Sequence, residues 1–190
     1  MKLLITLLTT LIFMSVAIPA DEEISKDCIN KNVPDNERAF SNTFSGTFNG
    51  KRLEYRASLK EKLLYEKDNP SAPMASFFYT EYIVESDKNR PVIFSFNGGP
   101  GSASLWLHMG VLGPKVIKVP SDASDDGSAP YKIVDNKLSP LSDADLVFID
   151  PIGTGYSRAV GCHEPEEFWG VSEDPKIIAE FIRRWINDNK

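Results

Sequence analysis

The chain has 190 residues, 42% of them hydrophobic and 25% charged, with a formal net charge of −6. That length and composition suit one globular domain with a real core. The acidic balance and the absence of a Lys/Arg cluster argue against nucleic-acid binding. Two cysteines and two histidines show no metal-ligand spacing, so neither a metal nor a cofactor is expected.

Residues 1–20 read as a secretory signal peptide. Lys2 supplies the positive start, Leu3 to Ile18 is apolar apart from Thr and Ser, and Ala17 and Ala20 offer cleavage points before Asp21-Glu22-Glu23. The apolar run is short for a membrane anchor of about 20 residues. The mature chain, residues 21–190, is therefore expected to be secreted or periplasmic and free of the membrane. Cys28 and Cys162 could form one disulfide in an oxidising compartment; spacing leaves other pairings and free thiols open.

Asp21 to Ala39 has no periodicity and reads as an irregular lead-in. Phe44–Phe48, the turn Asn49-Gly50 and Lys51–Leu59 predict a β-hairpin. Leu53, Tyr55 and Ala57 alternate with Arg52, Glu54 and Arg56, the pattern of a half-buried strand. Asp68–Pro73 predicts a loop and Met74–Val84 a strand rich in aromatic and β-branched residues. The sheet is thus expected to begin antiparallel.

Val92–Phe96 predicts a buried strand running straight into Asn97-Gly98-Gly99-Pro100-Gly101. Three glycines let the backbone turn sharply and be approached closely, and successive free N–H groups there make a concave anion site. Phosphate loops need a following Gly-Lys-Ser/Thr, which is missing. Ser104 stands where a dinucleotide fingerprint needs its third glycine. Ala103, Leu105, Trp106, Met109 and Leu112 predict one or two helical turns, stopped by Gly113-Pro114. Val116–Val119 and Tyr131–Val134 predict short strands around an exposed loop at Ser121–Pro130.

Ala144–Ile149 predicts a second buried strand, again followed by a glycine-rich loop, Asp150-Pro151-Ile152-Gly153-Thr154-Gly155-Tyr156-Ser157. Ser172 and Pro175 open a helix whose Ile177, Ile178, Phe181, Ile182, Trp185 and Ile186 share one apolar face. This order predicts an α/β architecture with ligand loops at strand C-terminal ends. An open sheet edge and the apolar helix face are expected to leave the chain poorly soluble.

Catalytic constellations are incomplete. His108 and His163 read as partly exposed polar residues, and Asp143/Asp145 and Glu166/Glu167 as solvated faces or caps. Gly155-Tyr156-Ser157-Arg158-Ala159 has alanine for the last glycine of a nucleophile elbow, and Ser157 lies well past its strand. No Ser-His-Asp triad can be assembled.

Asn97-Gly98-Gly99-Pro100-Gly101-Ser102-Ala103-Ser104, with Leu112-Gly113-Pro114 downstream, resembles the signature loop of serine carboxypeptidases. Asp145–Ser157 resembles that family's second block at its expected distance, and the likeness runs from Val92 to Asn187. The resemblance implies an incomplete α/β-hydrolase fold, with N-terminal antiparallel hairpins leading into a mostly parallel sheet. It implies peptide or protein C-termini as substrates. Gly99 would donate a backbone N–H to the oxyanion hole, Asn97 and the Gly98 N–H would bind the terminal carboxylate, and Gly153, Thr154, Gly155 and Tyr156 would border the cleft. Ser95 stands where many relatives have Trp, and Val111 where many have a supporting Glu. The family's nucleophile, Asp and His have no counterparts in these 190 residues, so the chain alone is expected to be inactive. Alternatives are an acyltransferase or esterase on the same scaffold, or a non-catalytic chain that binds peptide C-termini.

Overall fold

The computed structural model describes residues 28, 31–86, 89–98, 101–119 and 129–189. The expected signal peptide, Gly99, Pro100 and most of the Ser121–Pro130 loop lie outside the described residues. Strands β1 (Ala39–Phe48) and β2 (Lys51–Tyr65) pair antiparallel from Phe48 opposite Lys51 to Ala39 opposite Lys60. Asn49 and Gly50 turn between them at φ 48° and 78°, the left-handed conformation that a two-residue hairpin turn requires. Both strands are longer than the alternation suggested. Beyond Ala57 the pattern fails because Ser58 is buried and Leu59 is exposed, and the inward-facing position that follows is the charged Glu61.

Strand β3 (Pro73–Ile83) runs antiparallel to β2, with Lys60 opposite Tyr79. Strand β4 (Val92–Ser95) is followed by a short helix, α1 (Leu105–Leu107), and a π-helical turn at His108–Leu112. β5 (Lys115–Lys118) and β6 (Lys132–Asp135) pair with each other as a separate antiparallel ribbon. β7 (Asp145–Ile149) lies between β3 and β4, antiparallel to the first and parallel to the second. β8 (Arg158–Ala159) adds to the end of β3, and α2 (Glu173–Asn189) closes the described chain. The main sheet therefore runs β1-β2-β3-β7-β4, a mixed sheet with few helices.

Alternating side chains of the central strands build a core on each face. Phe77, Tyr79, Val147 and Ile149 point towards α2 and meet Ile177, Ile178, Phe181 and Trp185. Phe48, Tyr55, Tyr82, Leu146 and Phe148 fill the opposite face with Leu141. The sheet thus covers most of the apolar face of α2 on which poor solubility was expected, while Ile186 stays 43% exposed. β4 stops at Ser95, opposite Phe148, and Phe96 is left 43% exposed. Among the described residues, no helix is long and apolar enough to cross a membrane.

Two buried carboxylates tie the strands together. Glu61 accepts from the Arg38 guanidinium at 2.7 and 3.1 Å and from the Ser76 hydroxyl. Asp145 accepts from Arg90 Nε at 2.9 Å and from the Val84 N–H at 3.1 Å. It is 3% exposed, which corrects its reading as a solvated acid; Asp143, on the surface beside Lys51, fits that reading. Cys28 and Cys162 are joined in a disulfide, with Cα atoms 4.8 Å apart.

Candidate functional site

Parallel pairing of β4 with β7 brings their C-terminal ends, and the glycine-rich loop that follows each, to the same edge of the sheet. Asn97 and Gly98 leave β4 directly. Asn97 is half-buried, its Nδ2 donating to Ser102 Oγ at 3.0 Å across the loop. Its Oδ1 is buried and has no hydrogen-bond partner among the described residues. Leaving a buried amide oxygen unsatisfied is costly, so a donor at that point would be favourable. Gly98 is exposed.

The second loop is built as a tight turn. Thr154 donates both its N–H and its hydroxyl to the Pro151 carbonyl, at 3.0 and 2.8 Å. Gly153 N–H bonds the Ser157 carbonyl at 3.1 Å, and Ser157 N–H returns to the Thr154 carbonyl at 2.9 Å. Gly155, at φ +51°, leaves no room for a side chain: a Cβ there would sit 2.1 Å from Asp150 Oδ2. Trp169 closes the back of the loop, donating its indole N–H to the Ile152 carbonyl at 3.1 Å. Thr154 is buried within the turn, whereas Tyr156 is 70% exposed with its ring 5.6 Å from that of Phe78.

Asp150 joins the two loops. Its Oδ1 accepts the Ser104 N–H at 2.9 Å, while the Ser104 hydroxyl donates to the Ile149 carbonyl. Burial pushes the Asp150 carboxyl above the ordinary aspartate range, an effect that the Ser104 N–H opposes. Sequence reasoning missed this pair. The available signal was an acidic residue ending a buried strand immediately before a proline and two glycines.

Neither of the two histidines serves a serine. His108 stacks on Phe148 at 4.5 Å between ring centroids, and its Nε2 meets the Tyr82 hydroxyl at 2.6 Å. Burial lowers its pKa to about 4. His163 lies between Glu167, 2.8 Å from Nδ1, and Glu66, 2.9 Å from Nε2. It is half-buried, in keeping with the partly exposed polar residue expected, but bonded on both ring nitrogens. Ser157 is fully buried, and its Oγ accepts the Phe78 N–H at 2.8 Å. That bond makes it a structural tie to β3 rather than a nucleophile. Among the described residues, no cluster of three or more His, Cys, Asp and Glu could hold a metal ion.

Of the residues singled out in the sequence, Asn97, Gly98, Gly153, Thr154, Gly155 and Tyr156 thus lie on two loops leaving adjacent strands. Gly99 falls outside the described residues. Ser95 is buried at the end of β4 and Val111 is 59% exposed on the π-helical turn. The Cys28–Cys162 bond lies elsewhere, where the Gly161 N–H bonds the Lys31 carbonyl at 2.8 Å.

A family model described as serine carboxypeptidase matches residues 59–189. Serine carboxypeptidase-like 9 of Arabidopsis thaliana is 33% identical over 114 residues, covering 58% of this chain and 24% of the relative. Serine carboxypeptidase-like 2 of the same plant is 30% identical over 115 residues, or 57% and 24%. Serine carboxypeptidase-like 11 is 30% identical over 112 residues, or 56% and 24%. The chain spans about a quarter of the length of the curated relatives it matches. No solved structure matches.

Proposed function

Because the chain belongs to the serine carboxypeptidase family, we propose that it forms the substrate-binding and oxyanion side of a serine-type carboxypeptidase site. The observation that carries this reading is the pair of glycine loops leaving the adjacent parallel strands β4 and β7. In this reading the Gly99 N–H stabilises negative charge on the scissile carbonyl oxygen as the serine attacks. Losing such a donor costs about 3 kcal/mol of barrier. In the same reading the Asn97 amide, beside the Gly98 N–H, binds the substrate's terminal carboxylate. The loop Gly153–Tyr156 walls the cleft, with Tyr156 as its exposed aromatic surface.

The strand order leaves the outer edge of β4 as the place where a further parallel strand would pair. This is the sense in which the fold is a partial α/β-hydrolase, the nucleophile strand adding there and the acid and histidine following. The Cys28–Cys162 bond accords with secretion after removal of residues 1–20.

The test begins with the coding sequence past codon 190 and continues with the protein it encodes. A serine elbow there, labelling by a fluorophosphonate probe, and release of the last residue from a free peptide but not from its C-terminal amide would support the reading. A stop codon after Lys190, with no labelling, would remove peptidase activity and leave only binding. Ser95, where many family members carry Trp, and Val111, where many carry a Glu that supports the carboxylate network, favour a second reading as an esterase or acyltransferase. Equal turnover of the amidated peptide, or acyl transfer to an added alcohol, would select it.

A further inference from the structure

Ser95 and Ser104, which flank the first glycine loop in the sequence, are both held on the same strand. At the near end, Ser95 is registered opposite Phe148 of β7. At the far end, Ser104 is 2% exposed and bound twice to the end of β7, through its N–H to Asp150 and its hydroxyl to the Ile149 carbonyl. The Ser104 carbonyl in turn accepts the His108 N–H at 2.8 Å, which carries the anchor into the helical turn. The other oxygen of the same Asp150 carboxylate fills the space that a Cβ of Gly155 would need, with Asp150 Cγ at 2.8 Å from that position. Asp150 is itself held, because its N–H bonds the Phe78 carbonyl of β3 at 3.1 Å.

We infer that Asp150 is a positioning residue that sets the spacing of the two glycine loops, one carboxylate oxygen anchoring the first and the other packing against the backbone of the second. The inference rests on the reading of those loops as the two sides of one substrate cleft, although the contacts themselves do not depend on it. It also accounts for glycine at 155: the position is excluded to any side chain by the carboxylate as well as by its positive φ.

The test is hydrogen–deuterium exchange by mass spectrometry on the protein as its full coding sequence expresses it. Asp150→Ala should accelerate exchange about tenfold in peptides covering 101–107 and 151–157, with β1, β2 and β3 unchanged. Asp150→Asn keeps an acceptor for the Ser104 N–H and should stay within about twofold of the parent, a substitution eased by burial that already disfavours the charge. Gly155→Ala pushes the carboxylate aside, so the Ser104 peptide should also exchange faster although the change is in the other loop. Unchanged exchange in Asp150→Ala, equal acceleration in Asp150→Asn, or acceleration spread over β1–β3 would overturn the inference. If Asp150→Ala does not fold, Gly155→Ala decides, and a silent Ser104 peptide there refutes it. Exchange is read without substrate. Absence of peptidase activity in the parent protein would therefore sink the functional reading and leave this one standing.

Discussion

At the scale of single residues, the two histidines are opposite cases of one physics. His108 is wrapped by Phe148 and Tyr82, and burial holds its pKa down to about 4. His163 is also partly desolvated, but Glu167 and Glu66 outweigh that cost and raise its pKa above the ordinary histidine value. Glu167 responds in turn: burial pushes its carboxyl up, while the Glu164 N–H and His163 bring it below the usual range. The signs follow from proton binding. A raised His163 contributes stability that is complete below about pH 6.5 and is lost as pH rises through its higher folded value. A depressed His108 works on the other side, destabilising the fold as pH falls from about 6.5 through about 4. Because the chain has only two histidines, a ring-proton NMR titration reads both. We expect one midpoint near 4 and one above the ordinary value, with Glu167→Gln lowering the second alone. A His163 midpoint at or below the ordinary value would contradict the two-carboxylate account. Glu167, four positions from His163, was within reach of a sequence reading, but Glu66 lies 97 positions from His163 and Tyr82 26 from His108, which no local pattern links.

At the scale of elements, α2 shows how much a periodic pattern can and cannot say. Its three- and four-residue apolar spacing marks a helix with one core face. What that face meets is decided elsewhere. Phe181 is fully buried, with Phe77 at 5.2 Å and Tyr79 at 5.0 Å between ring centroids. Trp185 packs on Phe94 at 5.3 Å and donates its indole N–H to the buried Glu81 at 3.1 Å, a carboxylate that Lys60 also pairs at 2.6 Å. Phe181→Ala opens a cavity between helix and sheet and should cost about 3–5 kcal/mol, measured as a fall in the denaturant midpoint. A cost below about 0.5 kcal/mol, the size of a surface change, would mean that α2 is not docked on β3 and β7. The turn after β4 gives the complementary lesson. Its helical periodicity was legible, but the tightening into a π-helical turn at His108–Leu112 was not. There the Gly113 N–H returns to the His108 carbonyl at 2.9 Å.

For the molecule as a whole, the disulfide closes the largest loop in the fold that a covalent bond defines. It joins residues 134 positions apart and ties the entry of the chain to the segment after β8. Lys31 and Glu164, 2.7 Å apart, reinforce the same junction at the surface. Closing so long a loop mainly restricts the unfolded chain, so reduction should lower stability by about 2–5 kcal/mol. Denaturation with and without a thiol reductant measures this; coincident curves would show that the junction holds without the bond. The chain alone makes legible the mixed strand and helix order, the Asn49-Gly50 turn, the two glycine loops and the family, because each is written in adjacent residues whose backbone preferences act locally. Tertiary structure decided that β7 inserts between β3 and β4, that Asp145, Glu61 and Glu81 are buried with partners, that Cys28 meets Cys162, and that Asp150 joins the two loops. Those outcomes depend on which distant groups can satisfy a buried charge or fill a face, and no local pattern carries that information.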